Sequence, residues 1–426
     1  MKRLSFIYPL LVSFSLLTAC DKGGDSNNNN NTSGQAKFVQ SSVAGAQYLY
    51  QTGSPSTYLT VDKDGNAAPV SFTDDKGQTV TPEQMQVYNI SEKYLLVESI
   101  TLRISQASLQ NYNDVILVDK ATGAAHNLNV ASTVLVSSNS KNYYTDKNGD
   151  IYVIGRVRDE SGVIKINTTD FTAERYVEAN STGSMFVDRD GICCLSDDSN
   201  SAGFYGEEIQ GRNCRLMHPA GQIYTLDELL PQAQGTKYMV LGPDAKTYVV
   251  TLLANADKIT TACTVYKVNS DQSALSVSEV LSQTLQRYSY GKFFYNSVRN
   301  TLIFFSSAFS NNQIVEFNGT TLTETANGAE FSYVYPAKDA IYFYSSSSNQ
   351  VVKTDLQFLN VDWYGLKPGQ VTPALTSSKY STGLLFYGQR TSDSKYVFGH
   401  VETDGSCAVD GEGENGASVL DVIKLN

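Results

Sequence analysis

Six cysteines and three histidines are the residues of this sequence with the widest chemical options. Apart from Cys20, the cysteines are Cys193, Cys194, Cys214, Cys263 and Cys407. They contain no C-x-x-C pair, so the paired-cysteine spacing of a zinc site is missing and no metal ligand is assigned among them. His126, His218 and His400 lie far apart without metal or triad spacing, and each reads as an ordinary strand or turn residue. Acidic clusters are the other option. Asp410, Glu412 and Glu414 in "DGEGENG" are the best calcium candidates. The turns at 62–65, 146–150 and 188–191 resemble calcium loops only loosely, because "DKNGDIYV" places its glycine too early and offers no closing glutamate. Turn chemistry accounts for these residues without a cation. No catalytic residue is nominated, and no cofactor is expected beyond that calcium option.

The N-terminus decides the redox setting. Lys2 and Arg3 precede "LSFIYPLLVSFSLL", an apolar run of 14 residues that is too short to span a bilayer, which takes roughly 20. The run ends in Leu17-Thr18-Ala19-Cys20, which resembles the lipobox of bacterial lipoproteins. The resemblance implies that residues 1–19 are a signal peptide and that Cys20 becomes an acylated N-terminus, with palmitate-type chains holding the protein on a membrane. Residues 20–45 then form a flexible tether: "DKGGDSNNNNNTSGQ" has too little apolar surface to offset its ordering entropy. About 25 such residues reach roughly 25–30 Å. Asp21 is similar to an inner-membrane retention signal, yet either membrane remains open, with the domain in the periplasm or at the cell surface. An exported chain permits disulfides. Cys214 is expected to pair with Cys193 or Cys194, closing a loop worth roughly 3 kcal/mol. Neighbouring cysteines point to opposite faces of a strand, so only one of the two suits.

Net charge is −11, and no lysine or arginine cluster interrupts it, which makes nucleic acid and anionic lipid surfaces poor partners; no nucleic-acid partner is expected. Tyrosine is abundant, 27 against one tryptophan, as suits half-exposed strands and contact surfaces.

Residues 46–426 must position whatever the loops carry. They read almost entirely as short apolar runs separated by Gly, Asn, Asp and Ser, with single helical turns expected only at "TPEQMQ" and "TLDELLPQAQ". The clearest unit is "YYTDKNGDIYVIGRVRDESGVIKINTTDFTAERYV": strand, Asp-Lys-Asn-Gly turn, a more apolar strand, a loop and two further strands. The leading Asp caps the turn and the Gly supplies positive φ. Units of this length repeat along the chain, which predicts an all-β fold, a β-propeller of seven blades with eight as the alternative. The last unit shows three strands, in "STGLLFYGQ", "KYVFGHVE" and "SVLDVIKLN". A strand from 46–72 is therefore expected to complete it and close the ring. The units resemble NHL-like and YncE-like bacterial propeller repeats, best over Tyr144–Val153, although the "PDAK" and "SVRN" turns lack the glycine.

In such a ring the second-to-third-strand loops and the blade connections share one face. The long segments "TLRISQASLQNYN", "DDSNSAGFYGEEIQGRN", "NADKITTA" and "TDGSCAVDGEGENGA" fall there by this reading, and all five cysteines with them. Long loops on a rigid scaffold mark the functional face. The expected function is that of an envelope lipoprotein whose propeller binds a protein, peptide or glycan on the long-loop face. A propeller hydrolase or lyase using axial carboxylates or a bound cation is one alternative, and a surface adhesin the other.

Overall fold

The computed structural model describes residues 37–425, apart from 54–56, 83, 106–107, 113–114, 129–142, 158–159, 180–183, 197–207, 211–213, 288–289, 307–312, 327–332, 346–348, 355–363, 366, 368, 370 and 414–416. The lipobox, Cys20 and the tether up to residue 36 lie outside the described residues, whereas 37–45, expected as tether, holds the strand Phe38–Ser41 and buries Phe38 and Val43.

The fold is all-β and propeller-like. Among the described residues, eight antiparallel sheets of four or five strands follow one another along the chain. Sheet 1 joins the two ends: Val419–Lys424 pairs with Tyr48–Thr52, which is followed by Tyr58–Val61 and Ala67–Pro69. Sheets 2 to 8 span 84–127, 144–178, 184–225, 236–285, 290–326, 333–365 and 371–412. Sheet 5 gains a strand, Glu208–Gln210, from the long loop of sheet 4. A small sheet of Phe38–Ser41, Phe72–Asp74 and Thr79–Val80 sits beside the outer strand of sheet 2. Its Ser41 amide donates to the Gly123 carbonyl at 2.7 Å, covering what would otherwise be an open edge.

The turns form for the reason their residues suggest. The Asp146 carboxylate accepts from the amides of Asn148 (2.8 Å) and Asp150 (3.1 Å), while Gly149 takes φ +84°. Asp62, Asp74 and Asp188 repeat this arrangement with Gly65, Gly77 and Gly191. Where the glycine is missing, Asn300 and Asp244 adopt positive φ themselves, and their side chains bond to each other at 2.9 Å. His218 stands where the other turns carry Asp, its Nδ1 accepting from the Ala220 amide at 3.0 Å.

Second strands such as Ile116–Asp119 and Cys193–Ser196 are buried along their whole length because sheets cover both faces. Their packing proceeds in chain order. Leu49 and Ile423 of sheet 1 pack with Leu95 and Val97 of sheet 2, and Leu96 with Ile151 of sheet 3. A shared core then links sheets 3, 4 and 5. Val250 meets Phe304 of sheet 6, Phe305 meets Phe343 of sheet 7, and Tyr342 meets Phe386 of sheet 8. Phe398 of sheet 8 finally packs on Tyr50 and Val422 of sheet 1, with ring centroids of Tyr50 and Phe398 5.1 Å apart.

Three readings of the sequence change. The last unit is not a three-stranded remnant: Val371–Thr376 and Cys407–Glu412 complete sheet 8, so the segment read as the loop "TDGSCAVDGEGENGA" contains a strand. The final strand instead enters sheet 1 as its first strand, so the C-terminus completes the N-terminal sheet rather than the reverse. "TPEQMQ" runs into the strand Gln84–Asn89, whereas "TLDELL" does form a helical turn, Leu226–Leu229, with a Thr225/Glu228 capping box.

Candidate functional site

The turns that join first to second strands converge on one cavity of about 590 Å3. Sheets 2 to 8 all contribute to its wall. Sheet 1 contributes no such turn, because its first and second strands come from opposite ends of the chain and no hairpin links them. The turn of sheet 8 reaches over instead. The Tyr380 hydroxyl donates to the Tyr143 carbonyl at 2.6 Å, Asn89 Nδ2 to Ser378 Oγ at 3.0 Å, and Lys379 Nζ lies 4.2 Å from the Tyr144 ring centroid.

This wall departs from the acidity of the chain. Its charged members are Lys93, Arg189 and Lys379 against Glu92, and Glu92 is held by Lys338 at 3.1 Å. Lys93 pairs loosely with Asp119 at 3.7 Å. Behind it the buried Lys120 amine donates to the Ser91 carbonyl at 2.6 Å, and burial, with some repulsion from Lys338, pushes it down to about 8. Tyr94, Tyr144, Tyr295 and Tyr380 supply flat apolar surface. A signal for this site was present in the sequence: Ser-Glu-Lys-Tyr at 91–94 and Ser-Ser-Lys-Tyr at 377–380 repeat one pattern in turns of different sheets, both on the cavity. The axial carboxylate pair of a hydrolase is not assembled there, since Glu92 is the one acidic residue among the described lining.

The residues nominated from sequence lie elsewhere and do not form a cluster. Cys193, Cys194, Cys214 and Cys263 are buried and Cys407 is half-buried, and none of the five forms a disulfide. The expected disulfide is not made. Cys214 faces Ser196 across the ladder and Cys194 faces Leu216, so Cys194 and Cys214 are diagonal neighbours. Diagonal positions lie roughly 7–8 Å apart, beyond the usual 4.4–6.8 Å disulfide span. Cys193, opposite Met217, is farther still. Nor do the cysteines share the long-loop face. Cys193 opens its strand just after the Gly191 turn, and Cys407 follows the Gly405 turn, both at the short-turn end. Burial pushes the Cys193 and Cys263 thiols up to about 12. In denaturant without reductant, these four buried thiols should all react with an aromatic disulfide reagent; a loss of two would show that a disulfide had formed.

The calcium candidates also part company. Asp410 sits at a bulge, where its carboxylate accepts from the Tyr48 hydroxyl at 2.7 Å and meets His400 Nδ1 at 2.7 Å. Glu412 is held by Arg390 at 2.6 Å and Lys395 at 2.8 Å. Glu414 lies outside the described residues. Among the described residues no group of three His, Cys, Asp or Glu is placed to hold a metal ion. His126 stacks on Phe171 at 3.7 Å, and burial lowers its affinity for a proton. Of the long loops, 197–207 lies outside the description. Ser108–Tyr112 folds back on Tyr94–Ser105 as a hairpin, and the turn at 255–260 is closed by Asp257 with Ile259 exposed.

No family model matches the chain, and no curated protein does. Solved structures do. An uncharacterised protein from Listeria monocytogenes aligns over 78% of this chain and 94% of its own at 9% identity, TM-score 0.38. AztD from Citrobacter koseri, in its apo form, aligns over 91% and 98% at 10% identity, TM-score 0.37. A prolyl endopeptidase aligns over 80% of this chain at 8% identity, TM-score 0.40, and the chain spans 50% of its length. At such scores the likeness bears on neither chemistry nor partners.

Proposed function

We propose that this protein is a lipid-anchored binding scaffold of a bacterial cell envelope, with its eight sheets acting as the blades of a closed propeller. The observation that carries the ring is the cycle of packing: each sheet shares a core with the next, and the eighth returns to the first, where the two chain ends pair. Eight sheets favour the larger of the two blade counts read from the sequence. Such a ring is rigid and exposes loops at both ends, which suits recognition of a protein, peptide or glycan more than chemistry. The anchor rests on the lipobox. Acyl chains on Cys20 contribute about 0.8 kcal/mol per buried CH2, and two or three chains make attachment stable. The tether then sets the ring off the bilayer.

Both halves of this reading are open to test. Cys20→Ser should move the protein from the membrane pellet to the soluble fraction and abolish incorporation of labelled palmitate; membrane retention of that variant contradicts the anchor. Cross-linking in intact cells should capture the ring with a defined partner, and a protein recovered only as free monomer contradicts the scaffold.

A further inference from the structure

We infer that the cavity at the short-turn end binds a small organic anion with a flat unsaturated body. This site lies away from the long-loop face and does not depend on the lipid anchor or on the scaffold reading. Four observations converge on it. The volume, about 590 Å3, falls within the range of small-molecule sites, roughly 300–1,000 Å3. The wall is built by turns from seven sheets, so the groups facing the cavity are held by the scaffold rather than by one loop.

The charges are sorted against the trend of the molecule. In a chain of net charge −11 the lining carries Lys93, Arg189 and Lys379, and its one acid, Glu92, is already engaged by Lys338. Arg189 is exposed, and its guanidinium has no ion pair among the described residues. Its backbone is fixed on both sides: its amide donates to the Ala245 carbonyl at 2.8 Å, and its carbonyl accepts from the Lys147 amide at 3.0 Å. These bonds fix the backbone from which the side chain starts, and its guanidinium is a planar fork suited to a carboxylate. On the same wall the half-buried Tyr295 and Tyr380 offer ring surface, with Tyr94 and Tyr144 beneath Lys93 and Lys379, which selects a body that is flat and apolar over a hydrated inorganic ion. The position of Lys379 over the Tyr144 ring shows that cation and aromatic group already share this space. The two Ser-x-Lys-Tyr turns approach from sheets 2 and 8, so the recognition elements come from both ends of the sequence.

Titration calorimetry on the full mature chain with 1-naphthoate, and with uncharged 1-naphthamide as comparison, reads this directly. The expected result is one naphthoate per chain, affinity falling as salt rises, and amide binding at least tenfold weaker. Arg189→Ala and Lys379→Gln should each weaken naphthoate binding roughly tenfold while leaving the melting temperature unchanged. Both side chains lie on exposed or half-exposed turns. If a variant fails to fold, the salt dependence and the amide comparison on the unaltered protein still decide. Equal binding of acid and amide overturns the inference, as does unchanged naphthoate affinity in folded Arg189→Ala with Lys379→Gln, or no binding up to millimolar naphthoate.

Discussion

A chain ending at residue 418 should lose its cooperative fold. The missing strand, Val419–Lys424, is the first strand of sheet 1 and contacts sheets on both sides of it. Val419, Val422, Ile423 and Leu425 are all buried, and fully burying such side chains is worth about 1.5–3 kcal/mol each. Their sum, roughly 6–12 kcal/mol, rivals the 5–15 kcal/mol that stabilises an ordinary domain. The loss extends beyond apolar area. Tyr50, now fully buried against Phe398, would face water, and the backbone of Tyr48–Thr52 would lose one row of ladder partners. Urea unfolding followed by fluorescence, together with limited proteolysis, should find the truncated chain unfolded or digested where the intact chain is not. An unaltered unfolding midpoint would mean that the ends do not hold the structure together.

Asp188→Ala is the second large effect. Its side chain is completely buried between sheets 4 and 5, where four donors reach it: the amides of Asp190 (2.9 Å) and Ile192 (3.0 Å), and the amide (3.1 Å) and hydroxyl (2.9 Å) of Thr247. Alanine leaves these donors without an acceptor in a space closed to water, and each orphaned buried group costs about 1–3 kcal/mol. A loss of roughly 3–5 kcal/mol is expected, read as a lowered urea midpoint. The same carboxyl carries a pH signature. Burial outweighs the donors and pushes it up to about 6, above the unfolded value near 3.9. The folded state therefore holds the proton that the unfolded chain gives up between about pH 4 and 6. The contribution of this group is fully present below pH 4 and declines as pH rises through 6. Comparing unfolding of the unaltered protein with Asp188→Asn from pH 4 to 7 isolates that slope. An Asp188 carboxyl carbon titrating near 4 by NMR would contradict it.

The repeating hairpin was legible because its chemistry is local. An Asp that bonds amides two and four residues ahead, followed by a Gly at positive φ, leaves a pattern in five residues, and the structure builds the turns at 62, 146 and 188 that way. His218 in the same role was not legible as such, since only the fold reveals that its ring nitrogen replaces a carboxylate oxygen. Register was harder. The segment after Val401 looks like a polar loop because a strand at the outer edge of a sheet needs few apolar residues, and Cys407–Glu412 is such a strand. Misreading it shifted the whole last unit and placed Cys407 at the wrong end. The disulfide was overread from sequence proximity, which says nothing of the two-residue offset across the ladder between Cys194 and Cys214. The cavity was missed because its charged groups come singly from separate turns, and no window of sequence holds more than one or two of them.

The central claim is that Tyr48–Thr52, near the start of the described residues, and Val419–Lys424, near their end, lie side by side. In the register observed, Gln51 faces Asp421. Directly opposed residues lie about 4.5–5.5 Å apart, within the span of a disulfide, whereas Gln51 and Lys424 are offset by several residues along the strand. Gln51→Cys with Asp421→Cys, in a chain whose native cysteines are replaced by serine or alanine, should oxidise to a cross-linked species of altered mobility on a non-reducing denaturing gel. Gln51→Cys with Lys424→Cys should not. Failure of the first pair to form, or equal yield from both, would contradict a ring latched by its own two ends.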